Sequence, residues 1–274
     1  MTKNSKIVYQ TDFTDFLSMT ESPENQILVA ESWLVRNGCA IALDLHRQRF
    51  LNSCSHLYQI GSRMLTPYWQ AALEKIPSDG LWFPRIELAG YTRQPKFQVR
   101  VRKAPPLKET IKLCICDVPD KRKAPRHKGP DISLLGKLRT QILEQGADEG
   151  IIVSPKGYLL EGLTTSILWW QEINGKETLC AVPDANRILP GTTRKLILSI
   201  AKQKGIPIAY RLVLPDQLNG CEVWAVNALH GIRPAIPWQG SPFTPKNDDR
   251  AVERLKKWQQ SINALFRKEL SAKV

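Results

Sequence analysis

The chain has 274 residues, enough for two domains of ordinary size, and its 42% apolar and 24% charged residues describe a globular protein able to bury a core. No apolar run approaches the roughly 18–20 residues of a membrane helix, and the opening MTKNSKIVYQTDF lacks the apolar stretch of an export signal, so a cytoplasmic protein without membrane contact is expected. The net charge of +13 leaves open an anionic small ligand or a nucleic acid; the basic residues are spread along the chain, and no RRM, KH or helix-turn-helix pattern organises them.

In chain order, residues 27–43 read as two strands joined by an Asn37-Gly38 hairpin turn. Asp44 is then positioned to cap a helix running to about Ile60, with Leu45, Phe50, Leu51, Leu57 and Ile60 in loose helical spacing. A second helix is predicted over 66–76. Strand-like runs follow at 81–89, 96–104 and 110–118, giving the first 118 residues an α+β character with a mostly antiparallel sheet. Residues 117–131 are rich in proline and basic side chains and show no periodicity, the composition of a linker.

After the linker, 132–147 is an amphipathic helix with Ile132, Leu135, Leu138, Ile142 and Leu143 on one side and Gly146 at its end. Residues 149–162 form a strand, a Pro-Lys-Gly turn and a strand, and 166–182 form a hairpin about Asn174-Gly175. The stretch 188–206 is a loop feeding a helix that ends at Gly205. Residues 221–236 are a strand and a loop, and 253–270 a closing helix. The six cysteines lack metal-ligand spacing and form no disulfide framework, so no metal is expected. Tryptophans 69, 82, 169, 170 and 224 suit either a core or an interface.

Five stretches carry the chemistry: LDLHRQRF (43–50), RHKGPD (126–131), YLLEG (158–162), RILPGTTR (187–194) and VNALHGIRPA (226–235). Each is unremarkable by itself: Lys128 is one cation in a basic stretch, and Thr192-Thr193 is an ordinary helix start. Taken together and in this order, they resemble the class IV aminotransferases that depend on pyridoxal 5'-phosphate (PLP). That family includes branched-chain and D-amino-acid aminotransferases and 4-amino-4-deoxychorismate lyase. The resemblance runs from about residue 28 to the C-terminus and is weakest over 52–108.

The resemblance implies a fold-type IV architecture of the α+β or α/β class. It implies a small N-terminal α/β domain (1–118), a linker carrying Lys128 (119–129), and a larger PLP-binding domain of mainly antiparallel strands (130–274). It also implies PLP in the cleft between the domains, and a homodimer. Lys128 is then the catalytic residue, holding PLP as a Schiff base. A neutral amine is needed for that bond, so its pKa must be depressed, with Arg126 and His127 as nearby cations. Lys137 is a rival lysine inside the following helix. Glu161 is implied to pair with the pyridine nitrogen, and Arg49, with Arg47 as its competitor, to bind the phosphate.

Gly191, Thr192 and Thr193 offer the phosphate a helix start. Ser166 stands where the family usually has Asn, and Asn227 and Ala228 lie in a loop near the phosphate. Arg85, Asp131 and Arg233 are candidate substrate ligands, with Arg102 beside Arg85 on the N-terminal strands; Asp131 replaces the family's usual Asn. The implied reaction transfers an amino group between an amino acid and a 2-oxo acid. The alternative within the family is the lyase, which releases pyruvate and 4-aminobenzoate from aminodeoxychorismate.

Overall fold

The computed structural model describes residues 5–10, 26–91 and 94–266. The chain divides into two compact units. The first comprises Met1–Leu107, His127–Ile132 and Ile262–Val274, and the second Lys108–Arg126 and Ser133–Ser261.

The first unit is built on a four-stranded sheet of β1 (Ser5–Gln10), β6 (Gln94–Arg102), β5 (Arg85–Tyr91) and β2 (Ile27–Ser32), in that order. β1 runs parallel to β6, and the other pairs are antiparallel. Strand alternation puts Ile86, Leu88, Phe97, Val99 and Val101 on one face, all buried. Two helices, α1 (Leu43–Tyr58) and α2 (Ser62–Leu73), bring Phe50 and Trp69 to the same core, where Phe50 meets Phe97 edge to face and Trp69 stacks on Trp33.

Several sequence expectations change in this unit. The turn at Asn37-Gly38 is present, both residues with positive φ, but only Arg36 and Cys39 bridge across it. The long strand before it, β2, pairs instead with β5, and β3 (Val35–Arg36) pairs with β4 (Leu81–Trp82). Asp44 is not the cap of α1. Ala42 stands there in the left-handed conformation, and Asp44 lies exposed in the first turn. The apolar spacing of α1 looked loose because two of its buried positions are polar: the buried side is Leu43, His46, Phe50, Ser53 and Cys54.

The second unit holds a three-stranded sheet of β7 (Leu113–Ile115), β8 (Glu149–Val153) and β9 (Leu159–Gly162), with β7 parallel to β8. Its larger sheet has the order β12 (Ile208–Tyr210), β11 (Lys176–Ala181), β10 (Ser166–Ile173), β13 (Glu222–Asn227) and β14 (Gly231–Pro234). The predicted hairpin about Asn174-Gly175 joins β10 to β11, and Gly157, at positive φ, closes the turn between β8 and β9. The loop expected after β13 is a turn into the further strand β14.

Helices α3 (Ile132–Glu144), α4 (Thr192–Gln203) and α5 (Asp249–Asn263) follow the predicted order. On α3, Ile142 is buried and Leu135 and Leu138 pack on the core, while Leu143 is exposed rather than on the packed side. Trp169, Trp170 and Trp224 are core residues here, as Trp69 is in the first unit; Trp82 is half-buried. All six cysteines are free thiols. Among the described residues no helix is long and apolar enough to cross a membrane, and no side-chain cluster could hold a metal ion.

The segment His127–Ile132 runs along the free edge of β2. The Ala30 N–H donates to the Lys128 carbonyl at 2.7 Å. Gly129 (φ +149°) presses so closely that a Cβ there would lie 2.6 Å from the Leu28 carbonyl oxygen and the Val29 Cα. Both obstacles are backbone, which cannot swing aside as a side chain can. Gly129→Ala should therefore lower the unfolding free energy by about 1–3 kcal/mol, measured from the shift of the urea midpoint. An unchanged midpoint would show that the segment is free to leave β2.

Candidate active site

Lys128 follows from that backbone clamp. Its side chain is partly buried beside α1 and the β2–β5 region. Burial lowers its pKa to about 8; Glu31 opposes the shift, and Arg49, Arg85 and Arg102 add to it. The cations that act most on the amine are therefore three arginines distant in sequence, not the adjacent Arg126 and His127. Arg126 reaches the carbonyls of Asp184 and Asn186 in the second unit. His127 bonds Ser53 at 3.0 Å and stacks on His56. The rival Lys137 is exposed on α3.

Beside Lys128, Arg49 forks onto Glu31, with Nε to Oε2 at 2.8 Å and a terminal nitrogen to Oε1 at 2.7 Å. His46 meets the same carboxylate at 3.0 Å. Burial alone would raise the Glu31 pKa, but Arg49 and His46 hold it well below the usual carboxylate range. Arg47 donates to Thr66 and ties α1 to α2, so of the two candidate arginines it is Arg49 that stands by the lysine. Arg85 is buried on β5 and bonded to Glu87, and Asp131 is buried immediately before α3.

The second unit holds the remaining candidates. Glu161 is buried at the end of β9. Its Oε1 accepts from Arg122 and from the Leu189 N–H at 2.9 Å. Burial pushes its pKa up to about 7 against the opposing pull of Arg122 and Leu189. Its other oxygen, Oε2, accepts no hydrogen bond among the described residues and can receive one further N–H. Arg122 is in turn held by Asp120 (Nε to Oδ1, 2.9 Å) and reaches the Arg187 carbonyl at 2.8 Å, while Arg187 returns a bond to the Arg122 carbonyl at 2.5 Å. Half of the apparent linker is thus fastened to the loop before α4.

That loop ends at Gly191, the N-cap of α4, where no side chain caps the helix. The N–H groups of Thr192, Thr193 and Arg194 have no hydrogen-bond partner among the described residues, the arrangement that attracts an anion. A Cβ at Gly191 would sit 2.6 Å from the Ser166 hydroxyl, which places Ser166 at the same helix start. Arg194 braces the loop from behind, donating to Asp184 and to the Val182 carbonyl, each at 2.6 Å.

Asn227 serves its own turn. Its side-chain oxygen accepts from Leu229 at 3.1 Å and His230 at 2.8 Å, and among the described residues the Ala228 N–H of that loop has no hydrogen-bond partner. Arg233 is buried beside Glu149 and Asp148, which balance its charge, and is not a surface arginine.

Residues 28–237 match the family described as amino-transferase class IV. The chain belongs to that family. Solved structures of the same architecture include a hypothetical aminotransferase from Mycobacterium tuberculosis in a form with alpha-ketoglutarate and PMP bound. It has 20% identity and a TM-score of 0.71, covering 90% of this chain and 92% of that one. A branched-chain aminotransferase from the archaeon Thermoproteus uzoniensis, solved with norvaline, has 19% identity and a TM-score of 0.71 over 94% and 91% of the two chains. The branched-chain amino acid aminotransferase of Escherichia coli has 20% identity and a TM-score of 0.67 over 89% and 86%. At these identities the likeness establishes the fold, that of the fold-type IV enzymes. No curated protein matches the chain by sequence.

Sequence reasoning missed Glu31, Asp120 and Arg122, and it gave no role to His46 and Arg187 although both stand in stretches quoted for the family. Asp120 and Arg122 are charged residues in a stretch too irregular to be a helix or strand, which by itself assigns them no partner. The raised pKa of Glu161 has a measurable consequence. The folded state holds a proton that the unfolded state has released, so stability is present below about pH 4.5 and falls as pH rises towards 7. Glu161→Gln removes that proton exchange. The variant's unfolding free energy should fall less steeply than wild type between these pH values, by at most ~1.4 kcal/mol per pH unit. Parallel pH profiles would show that Glu161 titrates normally.

Proposed function

We propose that this class IV aminotransferase binds PLP through Lys128 and moves an amino group between an amino acid and a 2-oxo acid. The observation that carries the reading is a lysine with a pKa of about 8 in a chain that also offers a buried acid and an uncapped helix start. These three features fit the aldehyde, the ring nitrogen and the phosphate of PLP respectively. The M. tuberculosis relative, described with PMP and alpha-ketoglutarate, supports the same cofactor and a 2-oxo acid as amino acceptor.

When bound, PLP supplies an electron sink that eases removal of the substrate's α-proton. Lys128 Nζ would supply the anchoring amine and, as general base and then general acid, would take the substrate's α-proton and return it. The Arg49, Arg85 and Arg102 charges keep Nζ neutral over a wider pH range, which favours both roles. Glu161 Oε2 would be the acceptor for the ring N–H, with Arg122 and the Leu189 N–H fixing the carboxylate through Oε1. The N–H groups of Thr192 and Thr193, with Ser166 and the Ala228 N–H, are donors for phosphate oxygens. Arg49 adds a cation on the lysine's side, already oriented by Glu31. We read the assembly as a homodimer, the arrangement the resemblance implies; sedimentation of the purified protein tests that.

Addition of PLP should turn the protein yellow, and borohydride should then fix the cofactor to Lys128, read as a mass increase on its peptide. Capture should quicken as pH rises through about 8, because only the neutral amine attacks the aldehyde. Lys128→Ala should lose both colour and adduct. Protein that stays colourless, or a variant that keeps the adduct, would overturn the reading. Alanine with 2-oxoglutarate should give pyruvate and glutamate. Pyruvate and 4-aminobenzoate formed only from aminodeoxychorismate would establish the lyase instead.

A further inference from the structure

Glu161 and Ser166 are close in the chain but stand on different sheets of the second unit. β9, which ends in Glu161 and Gly162, belongs to the three-stranded sheet, and β10, which opens with Ser166, to the five-stranded one. Residues 163–165 are the entire connection between the two strands. The ring nitrogen and the phosphate of PLP are a set distance apart. An acid for the one and donors for the other serve together only if this joint keeps a single shape.

Few contacts hold the joint. The Gly162 N–H donates to the Thr165 carbonyl at 2.8 Å, and the Leu163 N–H to the Gly150 carbonyl at 2.9 Å. Thr164, exposed in the middle of the joint, is tied to Glu149 at the start of β8. Its N–H lies 3.2 Å from each carboxylate oxygen, and its hydroxyl donates to Oε2. The Thr164 carbonyl accepts from the Asn227 side-chain amide at 3.4 Å, which links the Ala228 loop to the same residue. A Cβ at Gly162 would lie 3.1 Å from the Glu149 Cγ and 2.2 Å from the Thr165 hydroxyl, so a glycine is what lets the joint close over the carboxylate.

Glu149 itself is buried. Burial raises its pKa, and the Thr164 hydroxyl, then Arg139 and Arg233, pull the other way and favour the carboxylate. An acid that only balanced Arg233 would have no need of the joint. Yet the hydrogen bonds to its carboxylate all come from Thr164, and neither arginine donates to it among the described residues. We propose that Glu149 is a positioning residue for the cofactor, fixing through Thr164 the separation of the ring acid Glu161 from the phosphate donors at Ser166 and Ala228, a role that rests on the reading of these three as ligands of PLP. Two half-sites held at the right spacing bind one ligand far more tightly than either binds its own part. Glu149 governs that spacing and leaves each half in place.

Calorimetric titration of the cofactor-free protein with pyridoxine 5'-phosphate, pyridoxine and inorganic phosphate tests this. The phosphate ester carries ring and phosphate but no aldehyde, so its binding is independent of Lys128. Wild type should bind it far more tightly than either part. Thr164→Val removes the hydroxyl and leaves Glu149 and its two arginines intact. Glu149→Gln offers one acceptor oxygen where the carboxylate uses two. Each should weaken the ester by roughly ten- to a hundred-fold, the loss of a hydrogen bond to a charged group, with pyridoxine and phosphate little changed. The double variant should be no weaker than the weaker single one, because both break the same contact. Thr164→Ser should bind as wild type. If Glu149→Gln does not fold, the two Thr164 variants decide the matter. Equal losses for all three ligands, or a lower melting temperature with an unchanged affinity for the ester, would confine Glu149 to folding and overturn its positioning role. Wild type that binds the ester no better than phosphate would instead overturn Glu161 and Ser166 as parts of one site, and the role of Glu149 with them.

Discussion

The hydrogen bond from the Ala30 N–H to the Lys128 carbonyl fixes where the Lys128 amine can be. A lysine in a proline-rich, basic stretch has every reason to remain in water, where its amine keeps a pKa near 10.4. Pinned to the edge of β2, it loses that freedom, and Gly129 removes the side chain that would prevent so close an approach. Burial and the surrounding arginines then act on a group that cannot retreat from them. Glu31 tempers the effect, but it is committed to Arg49 and His46, so its charge is shared rather than spent on the lysine.

The second unit solves the converse problem, holding a buried carboxylate ready to accept a further hydrogen bond. A buried glutamate left alone would hold its own proton. Arg122 and the Leu189 N–H favour the ionised form, yet both act on a single oxygen and leave the other to a ligand. Asp120 and Arg187 hold Arg122, and the loop that supplies Leu189 continues to the uncapped start of α4. Acid and anion site are therefore spaced by one short run of chain, from Leu189 to Thr193.

Much of this was legible in the sequence where the residue itself dictates geometry. Asn174-Gly175 and Gly157 require positive φ, and they mark turns where the alternating pattern stops. The L-P-G-T-T run announces a turn into a helix. Asn37-Gly38 misled because its turn chemistry is local, while the pairing of β2 is decided by β5, more than 50 residues away. The buried side of α1 was obscured by His46 and Ser53, polar residues whose burial depends on Glu31 and His127. Arg122 and Glu31 were illegible for the same reason. A charged residue reads as solvated until the partner that buries it is known.

The +13 charge takes on a different meaning once burial is considered. Among the described residues, six arginines are buried (85, 100, 102, 122, 194 and 233), so part of the charge that could have suggested a nucleic-acid surface lies inside the protein. In the second unit these arginines are answered in place: Arg122 by Asp120 and Glu161, Arg194 by Asp184, Arg233 by Glu149 and Asp148. They serve the fold and the orientation of one acid. In the first unit Arg85 and Arg100 both pair with Glu87, and Arg102 donates to the Phe83 carbonyl. A balanced arginine is explained by the carboxylate it holds. Arg85 and Arg102 act in addition on the Lys128 amine, whose pKa they help to lower.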